Sequence, residues 1–158
     1  MSKKIQGIDF SKISEKWIRI LDKIDSEEKT PKDFGTGDFL HRSEIHTIMA
    51  VGDNPGINVT NLSEILGISK SAISQMIKKL ERKKLIERFV EEENKKEIRL
   101  VLSPKGKIAY LGHEQHHARI FAKMHSKIGS LNISEFELIS GFLSAVEETF
   151  DECEKEGM

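Results

Sequence analysis

The sequence predicts a mainly α-helical protein with one small β-hairpin, and three observations predict it. Most apolar side chains recur every three or four residues. One central stretch instead holds two short runs rich in β-branched residues, Ile86–Val90 and Ile98–Leu102, around a polar segment at 91–97. Finally, hydroxyl or amide capping residues and Gly or Pro breaks fall at the ends of the helical patterns.

In chain order, residues 8–28 align Phe10, Ile13, Trp17, Ile20, Leu21 and Ile24 as the stripe of an amphipathic helix. Pro31 and Phe34-Gly35-Thr36-Gly37 break it. A second helix is expected over 38–51, ending at Gly52-Asp53-Asn54-Pro55-Gly56. Thr60 is placed to cap a short third helix that ends at Gly67, and Ser69 a fourth with Ile73, Ile77 and Leu80 on its apolar face. The two short runs form the hairpin. Ser103-Pro104, a capping hydroxyl before a proline at the first helical position, opens a long fifth helix to about 128. Ser134-Glu135-Phe136-Glu137 reads as a capping box for a last helix carrying Phe136, Ile139, Leu143, Val146 and Phe150.

Composition narrows the class. A chain of 158 residues with 37% hydrophobic content suits one small domain with helical extensions. Its longest apolar runs, such as Ile48-Met49-Ala50-Val51, fall far short of the roughly 20 residues of a membrane span. The opening Met-Ser-Lys-Lys-Ile-Gln-Gly is not followed by an apolar stretch of the signal-peptide kind. Cys153, the single cysteine, lies among acids that discourage a reactive thiolate, so it is read as a bystander. These features suggest a cytoplasmic protein of a bacterium or archaeon.

The net charge of −1 conceals an asymmetry. Residues 69–107 hold 12 Lys and Arg against 6 Asp and Glu, a net of +6, which leaves −7 for the remainder. A basic middle within an acidic chain localises an anionic partner there, although charged helices also simply face water.

The segment from Val59 to Gln75 has the form of a helix-turn-helix. Leu62, Ile65 and Leu66 are expected to bury the first helix, Gly67 to permit the turn, and Ile68, Ile73 and Ile77 to seat the second. Ser69, Lys70, Ser71, Ser74, Gln75 and Lys78 are then left for the opposite side. Small hydroxyls there allow close approach to a duplex, and the Gln75 amide suits a bidentate contact to adenine. Lys79, Arg82, Lys83 and Lys84 add phosphate neutralisation, as do Lys95 and Lys96 at the hairpin tip.

From Glu44 to Gly106 the chain resembles the MarR family of winged helix-turn-helix regulators. The resemblance rests on Leu62-Ser63-Glu64-Ile65-Leu66-Gly67-Ile68-Ser69-Lys70, Leu80-Glu81-Arg82-Lys83-Lys84-Leu85-Ile86 and Leu102-Ser103-Pro104-Lys105-Gly106. It implies a homodimer built by the terminal helices, recognition helices in successive major grooves of double-stranded DNA, wings at minor grooves, repression, and control by a metal, small organic effector or oxidant. The division it implies is a dimerisation helix and linker over 1–37, a winged helix-turn-helix domain over 38–106, and dimerisation helices over 107–158. The wing departs from the family. Its tip, Glu92-Glu93-Asn94-Lys95-Lys96, has lysines where the family usually has an arginine, so the planar fork that fits a narrow groove is lost.

All six histidines lie in two stretches, His41 and His46, then His113, His116, His117 and His125. His113 and His117, four apart on one helix, share a face. The pattern resembles the zinc-sensing branch of the family, the repressors of zinc uptake. That resemblance implies a Zn²⁺ site of His46, His113 and His117 with Glu28, the last matched by spacing alone, and Asp38 or Glu44 as weaker carboxylates. His116 and His125 are expected at the surface. An organic effector in the same place, or no ligand, are the alternatives that polar residues there leave open. His113-Glu114-Gln115-His116-His117 also spells the H-E-x-x-H signature of zinc metallopeptidases, a reading that needs a cleft and a third ligand, so a non-enzymatic role is preferred.

Overall fold

The computed structural model describes residues 4–5, 8–9, 11–90 and 98–156. Residues 91–97, and with them Lys95 and Lys96, lie outside this set, as do the side chains of residues 4–9, Glu28 and Glu154. The order is β1 (Lys4–Ile5), β2 (Ile8–Asp9), α1 (Ser11–Glu28), β3 (Lys32–Asp33), β4 (Phe39–Leu40), α2 (Arg42–Asp53), α3 (Val59–Leu66) and α4 (Lys70–Arg82). It continues with β5 (Ile86–Val90), β6 (Ile98–Leu102), α5 (Pro104–Ile128) and α6 (Ile133–Lys155). The mainly α chain with a small antiparallel hairpin is the expected fold class.

The chain divides into two compact units, residues 1–116 and 117–158. In the first, Leu40, Ile48, Val51, Leu62, Ile73, Ile77, Leu80, Leu85 and Leu100 are almost wholly removed from water. This core joins α2, α3 and α4 to the hairpin. Strands β5 and β6 pair antiparallel from Ile86↔Leu102 to Val90↔Ile98. A bridge from Ile57 to Leu100 ties the loop before α3 to β6. The second unit holds the end of α5 and all of α6, and there Phe121, Phe136, Leu143 and Phe150 are exposed. In the first unit Ile13, Ile20, Leu21 and Ile24 of α1 are exposed as well.

Several boundaries differ from expectation for local reasons. The N-terminal helix starts at Ser11 rather than residue 8, after the paired β1 and β2. Residues 38–41 are not helical, because β3 and β4 pair around a turn. The Asp33 carboxylate organises that turn by accepting from the N–H groups of Gly35, Thr36 and Gly37. Asn58, not Thr60, caps α3, its side chain accepting from Asn61 N–H at 2.8 Å. At α6 the reciprocal box is Asn132 with Glu135 instead of Ser134 with Glu137. Ser69 and Ser103 cap as expected, accepting from Ala72 N–H and Gly106 N–H.

Gly106 has a packing role. A Cβ there would stand 1.9 Å from the Leu85 carbonyl oxygen, so only glycine lets the start of α5 close on the α4–β5 connection.

Candidate nucleic-acid interface

α3 and α4 pack at a turn whose geometry follows from their caps. Gly67 takes φ +64°, and the N–H groups of Gly67 and Ile68 donate to the carbonyls of Glu64 and Ser63, which closes α3 in a Schellman motif. Two burial expectations fail here. Ile65 is 54% exposed and Ile68 43% exposed. With about 100° per residue, Val59, Leu62, Ser63 and Leu66 occupy one arc of about 100°, and Ile65 falls about 60° beyond its edge. Ile68 lies in the turn itself, ahead of α4.

On α4 the buried side is Ile73, Ile77 and Leu80, with Met76 partly covered. The same helical count puts Ser71, Gln75, Lys78 and Arg82 on the outward stripe. All four are exposed. Ser69 and Lys70 at the N-terminal end are exposed too, while Ser74 on the flank is half-buried. The Ser69 and Ser71 hydroxyls are 3.0 Å apart. Arg82 Nε donates back to the Lys78 carbonyl at 3.4 Å. The outer surface of α4 is therefore cationic and amide-bearing, with small hydroxyls at the end nearest the turn.

Lys79 is placed differently. Its ammonium lies 3.4 Å from Glu44 Oε1 on α2, and Lys83 Nζ approaches the same oxygen at 2.7 Å. Lys83 also donates to the Phe39 carbonyl at 3.2 Å. Burial by itself would raise the Glu44 pKa. The Lys83 hydrogen bond, the His41 N–H and the two lysine charges outweigh it and hold the carboxyl below its ordinary range. Glu44 is thus committed to lysines, and Asp38 pairs with Lys105 at 2.7 Å. No pattern in the sequence marks the first of these groupings, since its members are 35 and 39 positions apart.

The histidine-bearing region brings together part of the expected set. His113 is buried, and its ring lies edge-on to His46 with centroids 5.7 Å apart and to Phe34 at 5.3 Å. His116, expected at the surface, is half-buried, edge-on to Phe34 at 6.0 Å, with Nε2 3.5 Å from Lys32 Nζ. Lys32 also pairs with Glu27 at 2.9 Å; that hydrogen bond, more than the lysine charge, lowers the Glu27 pKa. His117 is exposed and belongs to the second unit. Among the described residues no group of three or more His, Cys, Asp or Glu side chains is placed to hold a metal ion. Two adjacent imidazoles packed edge to face fall short of the four ligands zinc takes.

This arrangement, a helix pair with a glycine turn, an exposed second helix and an antiparallel wing, defines a winged helix-turn-helix protein. The sequence profile of the MarR family matches residues 40–98. The HTH-type transcriptional regulator YybA of Bacillus subtilis is 30% identical over 135 residues, 84% of this chain and 83% of that protein. YhjH of the same organism, also an HTH-type transcriptional regulator, is 33% identical over 107 residues, 66% of this chain. That match spans 61% of YhjH, less than two thirds of its length. The chain belongs to the MarR family. The fold agrees with FabT of Streptococcus pneumoniae, solved in complex with DNA, at TM-score 0.71, 22% identity and coverage of 91% and 99% of the two chains. It agrees also with the zinc-responsive family member ZitR of Lactococcus lactis, at TM-score 0.68, 19% identity and coverage of 88% and 97%.

Proposed function

We propose that this protein is a sequence-specific, double-stranded-DNA-binding transcriptional repressor acting as a homodimer, with α4 as its reading helix. The observation that carries the reading is the outward stripe of α4. Gln75 sits between Ser71 and Lys78 on an exposed surface whose opposite side is locked into the core. Such a helix fits a major groove, with Gln75 reaching a base edge and Ser69, Lys70, Ser71, Ser74, Lys78 and Arg82 reaching phosphates or base edges. Lys95 and Lys96 are assigned to backbone contacts from the wing. Residues 38–106 form the DNA-binding domain; residues 1–37 and 107–158 form the dimerisation elements, consistent with the exposed apolar side chains of α1 and α6. A repressor of this kind works where the DNA is, in the cytoplasm. Membership of a family of transcriptional regulators and the packed position of His113 favour this over a peptidase.

Selection from a pool of random duplexes tests the reading. An imperfect palindrome with half-site centres about 10 bp apart is expected. Gln75→Ala should relax preference at one base step by about 1–3 kcal/mol, whereas Lys78→Ala should weaken binding to all sequences and flatten its salt dependence. Failure to retard any duplex at low salt sinks the reading.

An effector that contacts the paired rings of His46 and His113 completes the proposal. The zinc set of His46, His113, His117 and Glu28 has only this pair to support it. Elemental analysis of purified protein, with and without chelation, decides the point. If the wild type holds zinc no tighter than a His113→Ala, His117→Ala variant, the effector is organic.

A further inference from the structure

The buried carboxylate of Glu44 lies on α2, away from the outward stripe of α4, yet it holds two cations at the end of that helix. Its side chain is 1% exposed, and its Oε1 faces Lys83 at 2.7 Å and Lys79 at 3.4 Å. Oε2 accepts from His41 N–H at 3.0 Å, which fixes the carboxylate to the start of α2. The two lysines belong to the last turn and cap of α4. Lys79 is one helical turn after Gln75, and its side chain remains 46% exposed. Without Glu44, a lysine of that length beside the reading stripe would swing to a phosphate.

We propose that Glu44 is a specificity-setting, positioning residue: it withdraws Lys79 and Lys83 from the phosphate backbone and so lowers sequence-independent attraction to DNA. The physical basis is that phosphate neutralisation adds affinity for every sequence equally, while base contacts add it only for the right one. The carboxylate cancels one of the two lysine charges and holds both ammonium groups, so they contribute less to the first term, and nothing is lost from the second. The same ion triad fastens the C-terminal end of α4 to the start of α2, which keeps Gln75 at a fixed angle to the groove. The inference revises the expectation that Lys79 contacts phosphate. It rests on α4 being the reading helix.

The test uses the full-length protein and a 20-bp mixed-sequence duplex, with affinity measured by fluorescence anisotropy across a range of salt. Glu44→Gln keeps the shape and removes the charge. It should bind this non-specific duplex more tightly and steepen the slope of log K against log salt by about 0.9 for each phosphate newly engaged. Over a fourfold range of salt, one such contact is about a threefold change in affinity. Lys79→Ala in the wild type should leave the slope unchanged. The same substitution in the Glu44→Gln background should remove about one contact.

A role confined to stability would lower folded fraction and leave the slope where it was. If Glu44→Gln binds with the wild-type slope, or if Lys79→Ala flattens the wild-type slope by about one contact, the proposal is overturned. Should circular dichroism show that Glu44→Gln does not fold, Lys79→Ala decides alone: an unchanged slope supports masking, and a flattened one refutes it. A wild type that binds no duplex refutes the reading of α4 instead, so the two failures are distinct.

Discussion

The two units of this chain use similar apolar stripes to different ends. On α4, Ile73, Ile77 and Leu80 recur every three or four residues and are wholly buried by α2, α3 and the hairpin. On α6, Phe136, Ile139, Leu143 and Phe150 recur in the same way and remain 42–63% exposed. Periodicity therefore says that a helix has an apolar face; it does not say which chain covers that face. A core that closes upon itself can hold a reading helix rigidly. A helix with an unburied face of this kind depends on a second surface, and a second copy provides an identical one.

The largest effects should come from attacking the two stripes separately. Ile77→Ala should destabilise the winged core by about 2–5 kcal/mol, seen as a lower denaturation midpoint. Phe136→Glu with Leu143→Glu should convert a dimer to a monomer by light scattering while the core keeps its helical signal. If that double variant remains a dimer, α6 does not build the interface. If it loses the core signal as well, the winged core does not hold its fold without α6.

A smaller effect separates two helix ends. α3 stops at Gly67 with φ +64°, and α4 stops with Lys84 at φ +59°, each followed by a residue whose N–H reaches back five positions. The motif is the same; only the first has the residue that adopts it without steric cost. Lys84→Gly should therefore raise stability by about 0.5–1 kcal/mol, whereas Gly67→Ala should lower it by a similar or larger amount. Equal effects of the same sign would contradict the left-handed conformation at Lys84.

The contrast also marks what could be read from the sequence. Helices α4 and α5 and both hairpin strands were legible, because cap, stripe and break agree at Ser69, Ser103 and Ile86. The cap of α3 is not fixed by sequence, because Asn58 and Thr60 are both good caps two residues apart; in the fold Asn58, next to the Ile57–Leu100 bridge, takes the role. Ile65 is apolar but lies beyond the buried arc of α3, so its identity alone points to the core while its angle on the helix points to water. The outward set Ser71, Gln75, Lys78 and Arg82 follows from spacing alone. The ion pair of Lys79 with Glu44 does not, since a lysine on a basic helix looks the same whether or not a buried glutamate lies beside it. Likewise the histidine pattern suggested His46 with His113 but gave no sign that His116 would turn inward to Phe34.

The smallest predicted effect is spectroscopic and probes the join between α2 and α5 within the first unit. Tyr110 is the single tyrosine of the chain, so its ionisation can be followed without overlap from another phenol. Its hydroxyl donates to Asp53 Oδ1 at 2.7 Å. That hydrogen bond, reinforced by removal from water and by the charges of Asp53 and Glu114, pushes the phenol up to about 12 from an ordinary value of 10.0. The shift has a definite sign. A pKa raised on folding means that the native state keeps a proton the unfolded chain has released. The associated stability is present in full below about pH 10 and is lost as pH rises towards about 12. The phenolate absorbance of the native protein should therefore appear well above pH 10. Asp53→Asn removes the carboxylate that holds the proton and should move the transition back towards 10. Tyr110→Phe should remove the signal altogether and leave the Gly52 contact with the ring in place, because the ring carbons, not the hydroxyl, meet that glycine. A wild-type midpoint at the ordinary value would mean that Tyr110 does not clasp Asp53 in solution, and that the end of α2 is held to α5 by packing alone.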